Sequence, residues 1–131
     1  MSPDTPAAPT SKPMLWAGWI LTVLPALMLI MSGVMKLLGP EPLATEFARL
    51  GYPFSSALPI GIIELVCTAL YLIPRTSVLG AILLTGYLGG ATATHVRIGD
   101  PWFGPVIMGV VLWLGLFLRD ARLRALIPLK S

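Results

Sequence analysis

The sequence predicts an all-α integral membrane protein: a four-helix bundle with a short interfacial helix between the first and second spans. Three observations predict it. Charged residues make up only 11% of the 131-residue chain, against about 25% in an ordinary soluble domain. Hydrophobic residues reach 56% and mean hydropathy is +0.84, leaving too little polar surface to cover a globule. The apolar residues also gather into four long runs, without the alternation of a membrane β-barrel. The length allows one domain.

Residues 1–13, MSPDTPAAPTSKP, are rich in Pro, Ser, Thr and Ala and read as a disordered N-terminal tail. A secretory signal is not expected. No basic cluster precedes the first apolar run, which is too long for a signal core and ends in MKLLG rather than a small-residue cleavage site. The transmembrane domain is expected over residues 14–118. A bilayer core of about 30 Å needs roughly 17–25 helical residues, and the first run, 14–38, meets this with Lys36 as its only charge. Pro25 inside it removes a backbone donor and predicts a kink.

The linker from Gly39 to Ser56 is the longest. Leu43, Phe47 and Leu50 recur there at helical spacing, with Glu41, Glu46 and Arg49 at polar positions. This predicts a short helix lying flat at the membrane surface or folded over the bundle mouth. The second span, 57–73, has Ser55 or Ser56 placed to cap it and Pro59 in its first turn. The third, 77–96, follows PRTS, a break with a cap of its own. Its Gly86, Gly89 and Gly90 are expected to permit close helix approach. The fourth, 102–118, has Pro105 near its start, and residues 119–131 form a basic C-terminal tail facing anionic lipid.

The net charge of +3 does not indicate nucleic acid, because the basic residues are scattered among apolar runs. They read as topology signals. Lys12, Arg75, Arg119, Arg122, Arg124 and Lys130 fall on one side; Arg49 and Arg97, with Lys36 at a helix end, fall on the other. Positive residues prefer the cytoplasm, so both termini are expected inside.

Against this background Glu64, in GIIELVCTALYLIP, is out of place. It lies roughly 10 Å inside the outer start of its span, and Lys36 lies roughly 3 Å inside the outer end of the first. An unpaired charge at the bilayer centre costs about 2.5–3.5 kcal/mol on insertion scales. Glu64 can keep its proton or pair with a cation, and Lys36 is the nearest candidate, with His95 second. Glu64, Thr68 and Tyr71 share one helix face, Tyr87, Ala91, Thr94 and His95 another, and Ser32 and Lys36 a third. No comparable ionisable side chain is expected in the inner halves of the spans. The candidate ligand-binding or proton-handling pocket is therefore Lys36, Glu64, Thr68, Tyr87, Thr94 and His95. The competing reading is a buried Lys–Glu pair that only locks helix packing.

Other chemistry finds little support. Cys67 is the only cysteine and reads as a small buried apolar residue, so no internal disulfide can form. One histidine without an acidic cluster argues against a metal site. No Ser–His–Asp set, phosphate loop or dinucleotide fingerprint is present, so no catalytic residue is assigned and the balance is against an enzyme. A small transporter is disfavoured by the lack of an inverted repeat or broken helix pair.

SGVMKLLG, LGYP and GIIELVCTALYLIPRTSVLGAILLTGYLGGATATHVRIGD together resemble the DoxX-like family of small four-helix bacterial membrane proteins. The resemblance runs from Trp16 to Arg119. It rests on G-x-x-K-L (Gly33, Lys36, Leu37), G-x-x-E-L (Gly61, Glu64, Leu65) and G-A-x-x-T-H (Gly90, Ala91, Thr94, His95). It implies a multi-pass protein of the bacterial inner membrane. Relatives include a quinone-linked thiosulfate-oxidising subunit and proteins of thiol and oxidative-stress systems, and similar folds serve as assembly helpers. The expected function is a non-catalytic subunit or hydrophobic-ligand binder in a redox or stress system, with a quinone as candidate cofactor. The alternative is an assembly partner for another membrane protein, or a homo-oligomer. The missing cysteine pair argues against thiol exchange by this chain.

Overall fold

The computed structural model describes residues 10–129, and those residues form helices and turns without strands. Helix α1 spans Lys12–Leu38, α2 Glu41–Leu50, α3 Ala57–Leu72, α4 Ser77–Arg97, α5 Phe103–Arg119 and α6 Ala121–Arg124. Single 3₁₀ turns at Phe54–Ser56 and Pro74–Thr76 lead into α3 and α4. Helix α1 packs against α3 and α5, and α4 against the same two, so each long helix touches two others around one core. Leu29, Leu84, Leu88, Leu112 and Leu116 fill that core around the Tyr71 ring.

Helix α1 begins earlier than its apolar run. Ser11 accepts from the Met14 amide and Pro13 takes the first turn, where its missing N–H costs nothing. Lys12 and Pro13 are therefore helical and Ser11 caps them; of the expected disordered tail, residues 1–9 lie outside the described residues. Gly39 closes the helix in the left-handed region that glycine enters without steric penalty. Helix α1 continues through Pro25 as one element.

The expected serine and threonine caps of α3 and α4 do not form. Ser56 is already in helical conformation at the end of its 3₁₀ turn, so its hydroxyl has no free amide to accept from. The Thr76 and Ser77 hydroxyls point backward, donating to the carbonyls of Leu70 and Tyr71 at 2.7 and 2.8 Å. They satisfy the end of α3 rather than the start of α4.

Gly86, Gly89 and Gly90 do not mediate close approach either: a Cβ on any of them would meet open space. The tight contacts are elsewhere. A Cβ on Gly61 would lie 3.0 Å from the Gly33 carbonyl, joining α3 to α1, and one on Gly115 would lie 2.9 Å from the Thr22 amide nitrogen, joining α5 to α1. A Cβ on Gly80 would come within 2.2 Å of the Tyr71 amide nitrogen. Glycines buried on two facing helices bring backbones together; glycines on a face without a partner do not.

The polarity of the molecule is inverted relative to a soluble domain. Met31 is 70% exposed and Val110 62%, while Thr22, Glu64 and Thr68 are at most 1% exposed. Three helical stretches, Lys12–Leu38, Phe54–Leu72 and Pro74–Arg97, are long and apolar enough to cross a bilayer. Phe103–Arg119 is equally apolar but shorter.

Candidate functional site

Helices α1 and α3 cross where Gly33 and Gly61 let their backbones meet, and this crossing carries the most deeply placed charge. One turn beyond Gly33, Lys36 leaves α1; three residues after Gly61, Glu64 leaves α3. Lys36 Nζ donates to Glu64 Oε1 at 2.9 Å and to Ser32 Oγ at 2.6 Å, and Ser32 Oγ donates to the same carboxylate oxygen at 3.3 Å. The Lys36 side chain is 14% exposed and that of Glu64 2%. Glu64 thus holds a full counter-charge and a neutral donor, which makes a buried carboxylate tolerable. Thr68 takes no part in this cluster. Its hydroxyl donates to the Glu64 carbonyl at 2.7 Å, satisfying itself within its own helix.

Tyr87, Thr94 and His95 come together on the neighbouring face of α4. They line a cavity of about 310 Å³ with Phe47, Tyr52 and Ile60, and its floor on α4 is opened by Gly86 and Gly90. Gly86 and Gly90, which do not bring helices together, thus leave this space open. The predicted site thus falls into two parts, the Lys36–Glu64 pair in the α1–α3 crossing and Tyr87, Thr94 and His95 on the cavity wall. Lys36 and Glu64 are not among the lining residues.

Helix α2 reaches this cavity through Phe47. Phe47 is its buried residue, with Leu43 and Leu50 half-buried beside it and Glu41, Glu46 and Arg49 exposed. Arg49 pairs with Asp100 and Glu46, and Arg97 donates to the Leu50 carbonyl while lying 5.6 Å from the Tyr52 ring centroid. The Arg49 guanidinium holds the Glu46 carboxyl below its usual range, against the opposing effect of its slight burial. Tyr52, just after α2, is 2.8 Å from Thr94 Oγ1, and His95 Nδ1 is 2.7 Å from the Ala91 carbonyl.

Phe47 was legible as part of a short helix, but Phe47, Tyr52 and Ile60 were not legible as lining residues. Only the chain reversal at Gly51 brings Tyr52 back against α4. A second polar centre was missed altogether, at the end of the bundle carrying the described chain termini. Arg119, expected as a tail charge, turns inward: its Nε donates to Thr22 Oγ1 at 2.9 Å, and its guanidinium lies 4.3 Å from the Trp19 ring centroid. Nη2 is 3.5 Å from both the Tyr71 carbonyl and Ser77 Oγ. The Tyr71 hydroxyl donates to the Leu112 carbonyl and lies 3.3 Å from Thr22 Oγ1. The expectation that no ionisable group enters this half of the bundle is therefore corrected. The signal was present in Thr22 and Tyr71, polar positions on buried faces that required a partner.

Among the described residues, no three His, Cys, Asp or Glu side chains are grouped as metal ligands. No curated protein and no solved structure matches the chain. The family model of the DoxX-like family matches residues 20–118, the whole stretch that holds the Lys36–Glu64 pair and the Tyr87–His95 cavity. The chain belongs to the DoxX-like family.

Proposed function

We propose that the protein is a multi-pass, non-catalytic membrane subunit that binds a hydrophobic, quinone-type ring molecule in the cavity beneath α2. In this reading the four long helices form a bundle in the bacterial inner membrane, and α2 lies at the membrane interface. The observation that carries the reading is the cavity: about 310 Å³, mostly apolar, with polar groups of Tyr52, Tyr87, Thr94 and His95 on its wall. That is the volume and chemistry of a small-ligand site, where apolar walls bind and a few polar groups orient. Charge distribution supports both termini facing the cytoplasm. Among the described residues, Lys12, Arg75, Arg119, Arg122 and Arg124 gather at the terminal end, against Lys36, Arg49 and Arg97 at the other. Native mass spectrometry from mild detergent tests the reading, together with melting curves in short-tailed quinones. A quinone-sized adduct or a ligand-induced rise in Tm supports it; neither appearing refutes it.

A second reading draws on the Lys36–Glu64 geometry. Both partners are satisfied within the α1–α3 crossing and neither lines the cavity, which favours a purely structural pair in an assembly partner of another membrane protein. Glu64→Gln then changes stability and recovery of crosslinked partners, and leaves ligand binding untouched.

A further inference from the structure

Hydrogen-bond accounting in the cavity deepens the proposed ligand reading, on which it rests, by fixing which partners the wall can accept. A backbone carbonyl only accepts, so each group bonded to one must donate. Thr94 Oγ1 is 2.8 Å from the Gly90 carbonyl, so the Thr94 hydroxyl proton is spent there. Its oxygen is also 2.8 Å from the Tyr52 hydroxyl, and having no proton left to give it accepts the proton of Tyr52. The Tyr52 oxygen is left with lone pairs only. His95 Nδ1 sits against the Ala91 carbonyl and must carry the ring proton there. In the neutral imidazole this leaves Nε2 as a bare acceptor.

Tyr52, Thr94 and His95 thus present lone pairs to the cavity and hold no proton in reserve. We infer that the cavity selects a ring bearing hydroxyl donors, the reduced hydroquinone or a phenol, over the oxidised quinone. A quinone carbonyl brings only acceptors and would face Tyr52 and His95 oxygen to lone pair. Burying acceptors without a donor costs about a factor of ten in affinity for a single hydrogen bond. The preference is a property of the resting wall and involves no electron transfer by this chain.

Three ligands on one ring skeleton test it on the full chain in detergent under anaerobic conditions: 2-decyl-1,4-benzoquinone, its hydroquinone, and the hydroquinone dimethyl ether. The expected result is that the hydroquinone binds about tenfold more tightly than either of the others. Thr94→Val removes the acceptor that takes the Tyr52 proton, so that proton becomes available and quinone binding improves. Tyr52→Phe removes the lone pairs and weakens the hydroquinone while leaving the quinone as it was. These two variants move the preference by different routes, so a folding failure in one leaves the other decisive. Equal binding of all three ligands, or tighter quinone binding, overturns the donor selection and leaves the ring site standing. If none of the three binds, the ring site and the selection fall together.

Discussion

Removing either partner of the Lys36–Glu64 pair is expected to cost unequal amounts of stability, and the inequality follows from depth. At 2.9 Å and an effective dielectric constant of about 20, the direct attraction is about 6 kcal/mol. Desolvation of both groups takes back a large part of it, leaving a coupling on the order of 2 kcal/mol. Lys36→Met strands Glu64, whose side chain is 2% exposed and keeps only Ser32, at 3.3 Å, as a donor to the same oxygen. That loss should approach about 3 kcal/mol, the lower end for an orphaned buried charge. Glu64→Gln strands Lys36, which is 14% exposed and has a long stem that can carry its ammonium outward, so the loss should be nearer to about 1 kcal/mol. The double variant Lys36→Met/Glu64→Gln should be more stable than the sum of the two single losses implies. The assay is reversible unfolding in mixed detergent micelles followed by tryptophan fluorescence, with the four proteins forming a cycle. A coupling below about 0.5 kcal/mol, or Glu64→Gln proving the costlier single change, would refute the reasoning.

Further perturbations follow from the packing and the charges. Gly80→Ala places a methyl group 2.2 Å from the Tyr71 amide nitrogen and should destabilise by about 1–3 kcal/mol. Gly89→Ala meets nothing within 4 Å and should be neutral or stabilise by up to about 1 kcal/mol through helix propensity, both read in the same unfolding assay. For Glu46 the carboxyl is held below its ordinary 4.5 by the hydrogen bond from Arg49, so its contribution is present above that pH and disappears as pH falls through the lowered value. Deuterium uptake across α2, corrected for intrinsic rates, should therefore stay flat at higher pH and rise on acidification below 4.5. Glu46→Gln should remove that dependence, and an unchanged profile in this variant would count against it.

How far these features could be read in advance depended on whether the signal was local. The four apolar runs appear as helices within a residue or two of their expected ends, because hydrophobicity and chain breaks are properties of adjacent residues. The buried face of α2 was equally visible in Leu43, Phe47 and Leu50. Lys36 could be named as the neighbour of Glu64 because depth along two helices is simple arithmetic, and their contact is 2.9 Å. What escaped was set by pairing between distant segments. Nothing local distinguishes Gly80, pressed on Tyr71, from Gly89, which touches nothing. The inward turn of Arg119 depends on Thr22, which lies 97 positions away. The cavity needs Tyr52 folded back onto Thr94, a contact across 42 positions that only the reversal after α2 creates.

The Arg119 cluster has a consequence for the timing of synthesis. Its partners Thr22, Tyr71 and Ser77 lie on α1, α3 and α4, while Arg119 is the last residue of α5. A ribosome delivers those three polar positions first and the guanidinium that gathers them last. Until then the nascent chain carries three inserted hairpin limbs whose polar groups wait without their common donor. The arginine therefore acts as a completion signal, tying the domain only once every long helix has been made.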